Sequence, residues 1–283
     1  MTFWLNIAGM SVSVSTKESF RINKKLRSFS CQEKNVEDLG VTIHSCDFIW
    51  VPEKAVKLDN SLFYYKSNLA DGDISFYLWD TFQKQAIYHL KVNQEWNKAQ
   101  MIYQKEQDIR YALTGPLGEI LFRNALLRHS GLVIHAAAIE WEGKGILFSA
   151  ASGTGKTTQA QLWKKHQGAK ILNADRPAVR LWDQGVKVYG SPWNGSSKKY
   201  KNSNQPLRAI ILLEQGKENK IQRLDYKEAI SRLMPRCFLP YFEPELMEIA
   251  LKHLETLIMR IPIYLLRCRP DKEAVELVYQ WVK

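Results

Sequence analysis

At 283 residues and 45% hydrophobic content, the chain is long enough to bury one large core or two modest ones. No apolar run reaches membrane-spanning length, and residues 1–7 lack the basic start and cleavage site of a signal peptide; the expectation is a cytoplasmic protein without a membrane partner. The net charge of +11 admits nucleic acid, an acidic peptide or phosphate handling, yet Lys24-Lys25 with Arg27, Lys164-Lys165, and Lys198-Lys199 with Lys201 are separate clusters, unlike the dense stripe that argues for nucleic acid. Cys31, Cys46, Cys237 and Cys268 show neither Cys-x-x-Cys spacing nor a paired His, which reads as reduced, mostly buried thiols and not as a metal site.

In chain order, residues 1–104 carry short β-branched and aromatic runs at 41–43, 48–51, 63–65, 74–79 and 86–88, with Asp71-Gly72-Asp73 as a turn. They predict an aromatic-rich, mostly antiparallel β domain whose aromatics serve as core and cross-strand pairs. Residues 105–283 predict an α/β domain. Thr114-Gly115-Pro116 opens a helix through Ile120, Leu121, Ala125 and Leu127 that Gly131 ends. Residues 133–139 read as a strand carrying His135, 145–149 as a buried strand, and 169–173 as the strand after the next helix. Glu243-Pro244 starts a helix with Leu246, Ile249, Ala250, Leu254 and Leu257 on it, and Asp271 caps a last one with Leu277 and Trp281 on a common side.

Between the 145–149 strand and its helix lies Ala150-Ala151-Ser152-Gly153-Thr154-Gly155-Lys156-Thr157-Thr158, the context a phosphate-binding loop requires. Glycines let backbone N–H groups curl around phosphate oxygens at a helix N-terminus whose dipole favours anions. Ser152, Gly153, Thr154, Gly155, Lys156, Thr157 and Thr158 are therefore the candidate nucleotide-binding residues, with Lys156 on the β/γ-phosphates and the Thr157 hydroxyl offered to Mg²⁺. Ala150 stands where such loops carry their first glycine, so the opening turn must be reachable without a positive φ. The alternative is a glycine-rich strand-to-helix turn with an incidental lysine. Asp175 follows the next strand at once, and adjacent strands would deliver Lys156, Thr157 and Asp175 to one edge. His135 lies where a hairpin partner of the 145–149 strand could carry it to that edge, although a lone His in a strand is more often a hydrogen-bonded core residue.

The stretch from His135 to Asp175 resembles the catalytic core of the HPr kinase/phosphorylase family, with its phosphoenolpyruvate-carboxykinase-like fold. The resemblance rests on a His in a strand, Gly145 near the hairpin turn, the Ser-Gly-x-Gly-Lys-Thr loop and Asp175-Arg176 closing the next strand. Two positions depart from it: Ala150, and Ala174 in place of the first residue of an acidic pair. Tyr189-Gly190-Ser191-Pro192-Trp193-Asn194-Gly195 is similar to a segment of a subgroup tied to peptide-modification clusters, including lasso-peptide tailoring kinases; residues 207–215 and 262–271 look like its later strands.

The resemblance implies a P-loop kinase core of the HPr kinase/phosphoenolpyruvate carboxykinase type behind an N-terminal β-rich domain. Its implied reaction is transfer of the γ-phosphoryl group of ATP, with Mg²⁺, to a serine hydroxyl, most naturally on a ribosomal precursor peptide. Asp175 is then base and metal ligand together with Thr157, and His135 and Lys156 complete the catalytic set. Arg176, Arg208 and Arg267 are candidates for the equatorial oxygens, and Lys198 and Lys199 for a phosphate or an acidic substrate segment. A kinase for a small molecule such as free serine, or an ATP-gated binding protein without transfer, are the alternatives, and a homo-oligomer is left open.

Overall fold

Alternation of inward and outward residues builds the first part of the chain. It forms β1 (Thr2–Ile7), β2 (Met10–Thr16), the single-turn α1 (Lys24–Arg27), β3 (Ser30–Cys31), β4 (Leu39–Cys46), β5 (Val56–Lys57), β6 (Phe63–Lys66), β7 (Ile74–Asp80), β8 (Gln85–Val92) and β9 (Lys98–Gln104). The computed structural model describes all of residues 1–283 except 34, 35, 59–62, 67–71, 196 and 198. These strands make one sheet in the order β3-β1-β2-β4-β9-β8-β7-β6-β5. The expected antiparallel pairing is modified at its centre, where β4 runs parallel to both β2 and β9. The run at 48–51 contributes only a bridge between Ile49 and Ala86. Of the expected turn, Gly72 has φ +78° and Asp71 lies outside the described residues. Phe76, Leu90, Trp96 and Met101 are fully buried, and Tyr77 stacks on its cross-strand partner His89 with ring centroids 4.4 Å apart.

Two helices follow, α2 (Ile109–Thr114), which Asp108 caps, and α3 (Pro116–Arg128). They pack on β9 and β8, and α3 buries Leu117, Leu121, Leu126 and Leu127. For that reason the chain divides into the units Met1–Arg128 and His129–Lys283, and the boundary falls past α3 and not near residue 104.

The second unit contains β10 (Gly131–Val133), β11 (Ala136–Trp141), β12 (Lys144–Ser149), α4 (Lys156–Gln167), β13 (Lys170–Asn173), β14 (Ala178–Trp182), β15 (Gly185–Tyr189), β16 (Asn204–Gln215), β17 (Lys220–Arg223), α5 (Tyr226–Leu233), a 3₁₀ turn at Met234–Arg236, α6 (Pro244–Arg260), β18 (Ile263–Cys268) and α7 (Lys272–Val282). Its sheet runs β10-β14-β15-β16-β12-β11-β13, and β18 also joins β16 with β17 at its side. Ala137, Ile139, Phe148, Trp163, Ile211, Leu266 and Val278 form its core, in which Trp141 meets Trp163 edge to face at 5.5 Å.

Two expectations change here. The strand expected over 133–139 is broken at Ile134-His135, so that β10 pairs with β14 while β11 pairs with β12 and β13. The strands before the loop and before Asp175 are not neighbours, because β11 lies between them. Since β11 is antiparallel to both, β12 and β13 point the same way, and their ends still share an edge with the beginning of β11.

Candidate active site

At that edge β12 ends at Ser149 and α4 starts at Lys156. Gly153 and Gly155 adopt φ of +78° and +113°, values that a side chain disfavours, whereas Ala150 needs no positive φ and packs into the core. Gly155 occupies the N-cap and brings no side chain to the first amides of α4. The orphan N–H groups of that turn, and the positive end of the helix dipole, are thus left for an anion. Ser152, Thr157 and Thr158 are exposed beside them, and Thr154 is half-buried.

Lys156 is buried, and its Nζ donates to the carbonyls of Ala150 and Ala151, both at 3.2 Å. Burial pulls its ammonium below the ordinary lysine range, Asp175 opposes this, and the charge of Arg236 adds to it. A desolvated cation held only by carbonyl oxygens is poised to exchange them for phosphate oxygens.

Asp175 stands in the turn after β13. His135 Nε2 lies 3.2 Å from its Oδ1, and Arg176 Nε 3.2 Å from its Oδ2. Burial raises the carboxyl's pKa, but the His135 hydrogen bond and the charges of Arg176 and Lys156 outweigh it and hold the group below the usual carboxylate range. Asp175 is therefore ionised at neutral pH. His135 is held by its backbone: its N–H donates to Arg236 O at 2.7 Å, and its carbonyl accepts from Ser149 Oγ at 2.8 Å.

A buried asparagine fixes the turn. Asn173 Oδ1 accepts the N–H groups of Asp175 and Arg176 at 2.9 and 2.7 Å, and its Nδ2 donates to the carbonyls of Ser191 and Trp193 at 3.0 and 3.1 Å. The 190–195 segment is thereby tied to the Asp175 turn. Gly195, with φ +52°, passes so close that a Cβ there would stand 2.3 Å from Asp175 Oδ2.

The structure thus brings His135, Lys156, Asp175 and Arg176 together, with Ser152 to Thr158 around the helix start. It does not bring Arg208 there. That side chain donates to the carbonyls of Val282 and Lys283, because Arg208 lies near the level of Gly145, at the opposite end of β12 from the loop. Arg267 is on the loop edge of β18 but is engaged by Glu214 at 2.9 Å. Lys199 is exposed, its N–H bonded to Ser197 Oγ at 3.2 Å, and Lys198 lies outside the described residues. Ala174, at the departure from the acidic pair, is buried in the core, so a single carboxylate of that pair faces the edge. Sequence reasoning missed Asn173, Gly195, Arg236 and Phe238. Asn194-Gly195 carries a turn signature that could have flagged the glycine; Arg236 and Phe238 carry no local signal, since only the fold returns them to the loop.

Fold and site together define a mixed α/β protein whose second unit presents an anion-ready helix start opposite a carboxylate held by a histidine and an arginine. The chain belongs to the family described as SynChlorMet cassette protein ScmC, whose model matches residues 100–271, more than half of the chain. That description names a cassette and makes no mention of lasso peptides. No protein of curated function matches the chain. Among solved structures it is similar to the HPr(Ser) kinase/phosphatase from Coxiella burnetii, with a TM-score of 0.32 and 10% identity over 52% of this chain and 93% of that one.

Proposed function

We propose that the protein is an ATP-dependent kinase that transfers the γ-phosphoryl group to a serine hydroxyl of a ribosomal precursor peptide. The observation that carries this reading is the placement of Asp175, ionised and bonded to His135, at the same strand edge as Lys156 and the uncapped start of α4. The amides of α4 and Lys156 bind the phosphates, and Lys156 gives up its two carbonyl partners to do so. Asp175 accepts the proton of the acceptor hydroxyl, His135 keeps the carboxylate oriented, and Arg176 and Arg236 supply positive charge for the equatorial oxygens.

Among the described residues no three His, Cys, Asp or Glu side chains form a group able to hold a metal alone. The exposed Thr157 and the carboxylate of Asp175 are the residues that would hold Mg²⁺, an ion that needs only one or two protein ligands. That ion would supply charge neutralisation for the phosphoryl transfer. The resemblance of the 189–195 segment to the subgroup tied to peptide-modification clusters supports a peptide acceptor.

The test is mass spectrometry of precursor peptides incubated with ATP, Mg²⁺ and enzyme. One added phosphate on serine is the expected result, and Asp175→Asn reduces turnover about 10²-fold or more with a smaller change in ATP affinity. Phosphorylation of free serine with no peptide product replaces the peptide by a metabolite. Tight ATP binding with no product from any acceptor replaces transfer by gated binding.

A further inference from the structure

We propose that Phe238 is a positioning residue, whose ring holds the Arg176 guanidinium and the His135 imidazole where each meets one oxygen of Asp175. The Arg176 guanidinium carbon lies 5.4 Å from the ring centroid, and the His135 ring 6.2 Å away at an interplanar angle of 57°. Both separations are within the range over which the negative face of an aromatic ring attracts a cation or the edge of a second ring. Arg176 is therefore gripped on two sides, by Asp175 Oδ2 and by the ring.

The ring is itself fixed by the break between β10 and β11. Phe238 N–H donates to Val133 O at 3.0 Å, Ile134 bridges Cys237, and His135 N–H donates to Arg236 O. One short segment from far downstream thus braces the backbone of His135 and, through Phe238, its imidazole and the neighbouring arginine. A carboxylate whose two oxygens are met by independently anchored partners keeps one orientation, and reaction geometry tolerates little misplacement. Phe238 acts through those partners.

The test compares Phe238→Leu, which keeps bulk and loses the aromatic face, with Phe238→Tyr, which keeps both; Phe238→Met serves if the leucine variant does not fold. Resting on the kinase reading, the kinetic arm expects kcat to fall about 10-fold in Phe238→Leu. ATP affinity and thermal midpoint should stay near wild type, and Phe238→Tyr should restore the rate. The double variant with Arg176→Ala should lose less than the product of the two single losses, because part of the ring's effect passes through Arg176 and the remainder through His135. Independent losses that multiply overturn the proposal. A second arm needs no turnover: in the full chain, the Arg176 Nε–H resonance should be shifted upfield by the ring current and lose that shift in Phe238→Leu. An unmoved resonance overturns the proposal as well. If wild type phosphorylates nothing, the kinase reading fails while the resonance still decides the role of Phe238.

Discussion

Lys156 and Gly195 show how much single side chains govern at this edge. Lys156→Ala removes the one buried cation on the loop, so the affinity for an ATP analogue should fall by the value of a charge-assisted contact, roughly 1.5 to 3 kcal/mol, with the fold retained. Calorimetry with circular dichroism checks both halves; unchanged affinity in a folded variant ends the phosphate-loop reading. Gly195→Ala tests the opposite side of the site. Its Cβ would stand 2.3 Å from Asp175 Oδ2, and φ +52° already disfavours a side chain, so the carboxylate has to move. Turnover should fall at least about 10-fold with a smaller change in ATP affinity, since the loop amides are untouched. The strand-loop-helix geometry was legible because it is local: glycines, lysine and threonine in one run between a strand and a helix. The close approach at Gly195 was not, because it depends on which turn lies beneath the segment.

At the scale of elements, the starts of α6 and α7 were legible, whereas the broken strand and the short helices α2 and α5, although Asp108 and Asp225 cap them, were not. Pro244 and Asp271 mark the starts of α6 and α7, and Asp271 accepts from the Ala274 N–H as a cap should. By contrast, every residue from 133 to 139 except His135 is apolar, and nothing local breaks the run. The break is imposed by distant partners, Arg236 and Cys237, which pair with His135 and Ile134. Asn173 links two further elements by hydrogen bonds alone. Asn173→Ala leaves buried carbonyls and N–H groups unpaired at about 1–3 kcal/mol each, and a loss of about 3 kcal/mol in urea unfolding is expected, together with slower turnover as the Asp175 turn loosens.

In the sheet of the first unit, burial on β8, with Lys91 and His44 adding to it, pushes His89 down to about 4. The unfolded chain then binds a proton near pH 6.5 that the folded chain refuses, so stability is lost as pH falls from about 6.5 to about 4, on the order of 3 kcal/mol in all. Urea midpoints across that window should slope for wild type and be flatter for His89→Gln.

At the scale of the whole molecule, the charge of +11 is spread over separate clusters, whose attraction for any anionic group acts through solvent. Such attraction is screened over about 8 Å at physiological salt. Replacing Lys199 and Lys201 by Ser should raise the peptide KM and flatten its salt dependence while leaving ATP binding nearly unchanged, as steady-state kinetics at several ionic strengths would show. Among the described residues no helix is long and apolar enough to cross a membrane. The two-part organisation was legible from the change in hydrophobic period, but the position of the boundary was not. Nothing local in α2 and α3 says which domain they join, and only their packing on β8 and β9 assigns them to the first unit.

The brace at residues 236–238 also sets an order of events during synthesis. Lys156 and Asp175 leave the ribosome well before Arg236, and β16 must still wait for β18, its parallel partner at residues 263–268. A nascent chain therefore carries the loop long before it can carry the whole site, whose Asp175 edge is incomplete until the sheet has closed. Pairings so distant in sequence form late on the path to the folded state. A bound ATP analogue should accordingly slow unfolding and leave the refolding rate nearly untouched, which stopped-flow measurements with and without the analogue would reveal.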